Sequence, residues 1–173
     1  VNRNGNLYVA RSATAGIALI VAATTGNHPT IWNPPDSKKV LNIRRLLLAY
    51  VSGANAPGSL AWNIVENTGA YNEANATAAA ILTFTSVAPV SAFAGKPVAN
   101  KFRWSPATNT YTAAPVYYRP VNLSLFTGAA ATAVAPFTLG EEYDGDFLVA
   151  PGTAVCLVTV QATTTALFRI TIL

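Results

Sequence analysis

The sequence is short of charge. Asp, Glu, Lys and Arg make up 10% of its 173 residues, against about 25% in ordinary soluble domains. It has one cysteine, one histidine and no methionine. A single cysteine excludes an intrachain disulfide framework and a multi-cysteine zinc site. A single histidine excludes a histidine-rich metal site. Basic residues never run five together, and the only basic pairs are Lys38-Lys39 and Arg44-Arg45. The net charge of +4 is therefore not gathered into the patch that neutralises several phosphates at once, and no specific nucleic-acid partner is expected. There is no GxSxG elbow, phosphate-binding glycine loop or dinucleotide fingerprint. The apolar stretch 15–23 is nine residues long, where a membrane-spanning helix needs about 20. It is read as a buried strand with small residues rather than as a signal or anchor, and no membrane partner is expected.

What remains is apolar and small. Hydrophobic residues are 51% of the chain, and Ala and Thr number 32 and 20. That composition is too apolar and too weakly charged for intrinsic disorder. The length suits one domain, 1–173, with a core that needs no covalent staples. So little charge leaves a lone monomer poorly covered, which predicts that part of the surface is buried against other copies.

Strand signals dominate. Residues 7–9, 17–22, 30–32, 60–66, 81–85, 116–118 and 121–126 are rich in Ile, Val, Leu, Thr and aromatics. Residues 40–51 form the longest apolar run. Both of its parities are largely apolar, which predicts a strand covered on two sides. Pro120 removes a ladder donor and predicts an edge or a bulge. The C-terminal part is clearest: 146–149, the turn Ala150-Pro151-Gly152-Thr153, the strand 154–161 and the strand 166–173. In that last strand Phe168, Ile170 and Ile172 share the face assigned to the core. Residues 1–16 are read as an N-terminal arm. Residues 89–112, with three prolines, are read as a long loop excursion holding one strand at 101–104. Short strands spaced by Pro and Gly turns predict an all-β fold, an antiparallel β-sandwich.

Each residue that carries chemistry has a plain structural role as its alternative. His28, in Gly-Asn-His-Pro-Thr, is read as a polar turn residue rather than a general base. Cys156, between Val155 and Leu157, is read as a small core residue rather than a reactive thiol. Glu141, Glu142, Asp144 and Asp146 are four of the seven acids. They are read as a solvated loop, or as partners for bases on a neighbouring copy. Asp144 and Asp146 offer the alternative of a hard-cation site such as calcium, although the spacing is not that of an EF-hand. Paired carboxylates also serve glycosidases, but acids this close on a loop are unspecific. Trp62, in LAWNIV, is assigned to the core. Trp104, in KFRWSP, is the tryptophan expected to be exposed. Asn75 and Asn122 fit the glycosylation pattern as chance matches. The expected interface residues are Lys38, Lys39, Arg44, Arg45, Trp104, Glu141 and Glu142. No catalytic residue and no cofactor is expected.

Three passages carry a family resemblance: NGNLYVARSATAGIALI, PTIWNPPDSKKVLNIRRLLLAYVSG and FLVAPGTAVCLVTVQATTTALFRITIL. They resemble small structural proteins of tailed bacteriophages, some of which decorate the head. The resemblance implies a jelly-roll-like sandwich and symmetric homo-oligomers, a trimer first. It also implies a non-enzymatic role in the virion, made in the host cytoplasm, with the major capsid protein or other virion proteins as partners. The alternative is a carbohydrate-binding sandwich, lectin-like or at a fibre tip. That reading expects Trp104 or Tyr117 exposed beside polar groups, with calcium at Asp144 and Asp146.

Overall fold

The alternation read in the last strand organises one half of the molecule. In β15 (Leu167–Ile172) Phe168, Ile170 and Ile172 are buried and Arg169 is exposed. The computed structural model describes residues 7–21, 25–34, 37–53, 58–65, 81–84, 90–91, 102–106, 109–111, 114–125, 138–160 and 166–173. Among these residues the chain is strand and turn without an α-helix, and no helix is long and apolar enough to cross a membrane.

Two sheets carry the fold. The first has the order β12 (Thr138–Glu142), β5 (Arg45–Ser52), β15, β1 (Tyr8–Arg11) and β8 (Val90–Ser91), with β2 (Ile17–Ala18) also on β15. The second has the order β11 (Val116–Leu125), β6 (Gly58–Val65), β14 (Thr153–Thr159), β3 (Thr30–Asn33) and β9 (Arg103–Ser105). Two short ribbons complete the described strands: β4 (Leu41–Asn42) with β13 (Leu148–Val149), and β7 (Ile81–Phe84) with β10 (Asn109–Tyr111). Every pairing between these strands is antiparallel. The chain is an all-β sandwich, as expected.

The two sheets bury their facing sides together. Leu46, Leu48, Phe168 and Ile170 come from one, and Leu60, Trp62, Val155 and Leu157 from the other. Each such side chain contributes about 1.5–3 kcal/mol by leaving water. The second sheet is also covered on its outer side. Ala61, Val65, Ala154, Cys156 and Val158 point outward there and pack with Tyr111 of β10. This is why AVCLVTV is apolar on both parities. The turn before it needs its glycine: Gly152 has φ 86°, and the Thr153 N–H closes the turn on the Ala150 carbonyl at 3.2 Å.

Several expectations are corrected. Residues 40–51 are not one strand. The run divides at Ile43-Arg44, so that β4 joins β13 while β5 joins β12 and β15. The break is held by backbone bonds from Ile43 N–H to Phe147 and from Arg44 N–H to Leu173. In β5 Leu46 and Leu48 are buried, while Arg45 is exposed and Leu47 and Ala49 are only half-buried. Residues 8–11 are β1, near the short strand expected at 7–9 within the N-terminal arm, and this strand is paired into the sheet with β15 and β8. Residues 89–112, read as a loop excursion with one strand at 101–104, carry β9 (Arg103–Ser105) close to that place, and also β8 and β10. Of the described residues 17–21, only Ile17–Ala18 is a strand, although Leu19 is fully buried and Val21 bridges to Thr159. Pro120 does lie in the edge strand β11, between two register shifts. Residues 67–76, which read as a surface loop, 76–80, which read as a short helix, and 163–165, which read as a turn, lie outside the described residues.

Candidate functional site

The edge strands β11 and β12 end their sheets on the same side of the sandwich and lie close to each other. Along this rim the sequence-predicted charges gather, though not as expected. Arg45 and Glu142 face each other in register, and Arg45 Nε lies 3.4 Å from Glu142 Oε1. The expected contact between this base and this acid therefore forms within one chain. Arg44, Arg45, Glu142 and Asp144 surround a recess of about 160 Å³, together with Leu7, Tyr143 and Leu173. Lys38 and Lys39 are exposed on the segment after Pro34 and do not line it. Lys38 takes a left-handed φ of 52°, and the Lys39 carbonyl accepts from Asn33 Nδ2 at 2.8 Å.

Glu141 departs further from expectation. It is 8% exposed, because alternation along β12 turns it inward between exposed Gly140 and Glu142. Its carboxylate accepts from the Tyr143 hydroxyl at 2.8 Å, which in turn accepts from Trp62 Nε1 at 2.8 Å. Burial is the main cause that pushes the Tyr143 phenol above its ordinary pKa. This relay ties the rim of one sheet to the core of the other. Glu141 is thus a structural anchor and is not available to a partner's base.

Trp104 is corrected outright. It is 1% exposed, and its Nε1 donates to the Arg11 carbonyl at 3.0 Å, joining β9 to β1 across the core. Its flanking charges and loop-rich surroundings suggested exposure, but pairing with Ile31 of β3 turns the ring inward. Beside it lies an apolar cleft of about 30 Å³ lined by Tyr8, Ile43 and Phe102.

Among the described residues the exposed aromatics are Tyr117 at 59%, as the carbohydrate-binding alternative expected, and Tyr118 at 42%, next to exposed Val116. Tyr118 packs on Phe147 at 5.9 Å between centroids. Arg119 lies over the rings of Tyr143 and Phe147 at 5.1 and 5.4 Å, and its Nη1 is 3.5 Å from Asp146 Oδ2. Asp146 is thereby engaged by a cation of its own chain. Asp144 is exposed. Among the described residues no three His, Cys, Asp or Glu side chains gather as metal ligands would. Reading the residues singly had missed Arg119, Phe147 and Val116. The only local signal was the VYYRP string, with its aromatic pair ahead of an edge proline.

The second polar cluster is buried. His28, expected as a polar turn residue, is fully buried and stacks on Tyr111, with centroids 5.8 Å apart. The Tyr111 and Thr30 hydroxyls bond each other, and Thr30 Oγ1 donates to the His28 carbonyl at 2.8 Å. Asn109 Nδ2 donates to the same carbonyl at 2.6 Å. Cys156 sits under Tyr111, and burial above all pushes its thiol up. A thiol held protonated and out of water is no nucleophile. The cluster fastens β10 to β3 and presents no open reactive group. In comparisons with family models, curated proteins and solved structures, the chain matches none.

Proposed function

We propose that this chain is a non-enzymatic structural protein of a virus particle, which decorates or stabilises the capsid through contacts between surfaces of several copies. The observation that carries this reading is the strand order. Within the two main sheets, leaving out the two- and three-residue strands, β1-β15-β5-β12 face β3-β14-β6-β11. Eight strands in that order are what a double Greek key, or jelly roll, winds, an arrangement used by capsid and lectin domains. Fold alone does not fix function, and the surface supplies the second support. Val116, Tyr117, Tyr118 and Leu148 remain exposed in a chain with 10% charge. Tyrosine and apolar residues at such a rim suit association with other copies, a trimer by the family resemblance, and with the shell proteins of the particle. Sedimentation velocity on the intact chain tests this. Assembly into a defined oligomer supports it, and a monomer at every soluble concentration contradicts it.

A carbohydrate-binding role is the second reading, favoured by one observation. Exposed Tyr117 and Tyr118 stand beside Arg119 and Asp146, a ring surface next to fixed donors and acceptors. A glycan array on which the wild type binds and Tyr117→Ala does not would support this reading over the first. An array without hits removes it.

A further inference from the structure

Residues 40–44 and 144–149 run side by side as a narrow ribbon. Asn42 pairs with Leu148, Ile43 N–H bonds Phe147 O at 2.9 Å, and Tyr143 N–H bonds Arg44 O at 2.7 Å. One side of this ribbon belongs to the core, through Ile43, Phe147 and Val149. The other side alternates outward and is uncovered among the described residues. It carries Val40 at 57% exposure and Leu148 at 53%, then Asn42, Arg44 and Asp144, all exposed. The two ion pairs among the described residues engage Arg45 with Glu142 and Arg119 with Asp146. Neither uses Arg44 or Asp144, which both line the recess at the ribbon's end.

We propose that this outward face is a twofold contact between two copies of the chain. A twofold places the same patch against itself, so that residue i meets j and j meets i. With Asp146 on the same side held by Arg119, the unpaired charges of the patch are one cation and one anion, and such a patch is complementary to its own rotated copy. Arg44 of each copy meets Asp144 of the other, and no like charges need face each other. Val40 and Leu148 supply the apolar area that a pair of exposed ion pairs lacks. A partner of one charge sign would satisfy only half of the patch. The inference rests on the reading that the chain self-associates, and adds the face and the symmetry. A twofold here leaves the β11 rim free for a threefold contact or for the shell.

The test uses two charge reversals in the full chain, Arg44→Glu and Asp144→Arg. Both residues are exposed, and thermal unfolding of each variant checks that the fold is intact. Sedimentation velocity then follows association of each variant alone and of an equimolar mixture. Alone, each variant places like charges opposite one another and should associate at least about tenfold more weakly than wild type. In the mixture both contacts become opposite-sign again. The introduced glutamate of one variant meets the introduced arginine of the other, the native Asp144 meets the native Arg44, and association should return. A charge effect within one chain cannot be rescued by mixing. Variants that associate as well as wild type, or a mixture that does not recover, would overturn the twofold contact while self-association stands. A wild type that never associates would overturn the self-association reading, and the twofold contact with it.

Discussion

The five-stranded sheet has two buried faces, and they are made of different material. Its inner face carries Leu60, Trp62, Val155 and Leu157. Its outer face carries smaller residues, Ala61, Ala154 and Val158, and a polar row in register. Asn63 lies opposite Cys156, Cys156 opposite Thr30, and Thr30 opposite Ser105. All four are buried. The inner face is held by apolar area and is insensitive to direction. The outer face is held by small-residue packing and by directed bonds to Tyr111, His28 and Asn109. Burial alone therefore does not say what stabilises a face. The inner face should lose stability with volume removed, and the outer face with single hydroxyls removed.

The largest expected effect tests whether the outer face is closed. Cys156 is fully buried under Tyr111 with its thiol pushed up. Alkylation of the native protein at mildly alkaline pH should be slower than in urea by on the order of a thousandfold, since it must wait for opening. Fast native alkylation would show that the outer face is open. Next, Trp62→Ala should cost about 3–5 kcal/mol in chemical denaturation, from lost apolar contact and the cavity it leaves. It also removes the donor that Tyr143 accepts from. Tyr111→Phe deletes one oxygen from the outer face and should cost about 1 kcal/mol, the usual worth of a buried hydrogen bond. An equal loss at both positions would erase the distinction between the faces. The smallest effect belongs to the rim. Arg45 and Glu142 are 45% and 68% exposed, so Arg45→Ala should change stability by less than about 0.5 kcal/mol, and added salt should shrink that change further.

The sandwich itself was legible where alternation is local. The inward parity of Phe168, Ile170 and Ile172, the turn at Gly152, the core place of Trp62 and the edge place of Pro120 all follow from period and turn chemistry. The division of 40–51 was not legible. No proline or glycine marks Ile43-Arg44, and the break is set by bonds to Phe147 and Leu173, which are distant in sequence. Trp104 was misread because its charged neighbours outweighed a three-residue strand whose facing is decided by Ile31. The site was legible as an inventory of charges but not as pairs. Arg45 with Glu142 follows from register between remote strands, Arg119 with Asp146 from the approach of β11 to the turn at 143–147, and the inward turn of Glu141 from which side of β12 meets the core.

The proposed self-association covers the apolar, weakly charged surface of this sandwich with other copies of the chain. Sedimentation equilibrium of the wild-type chain across its soluble range tests this most directly. A defined oligomer that dissociates on dilution is the expected result. A mass fixed at 18.1 kDa at every concentration would contradict it.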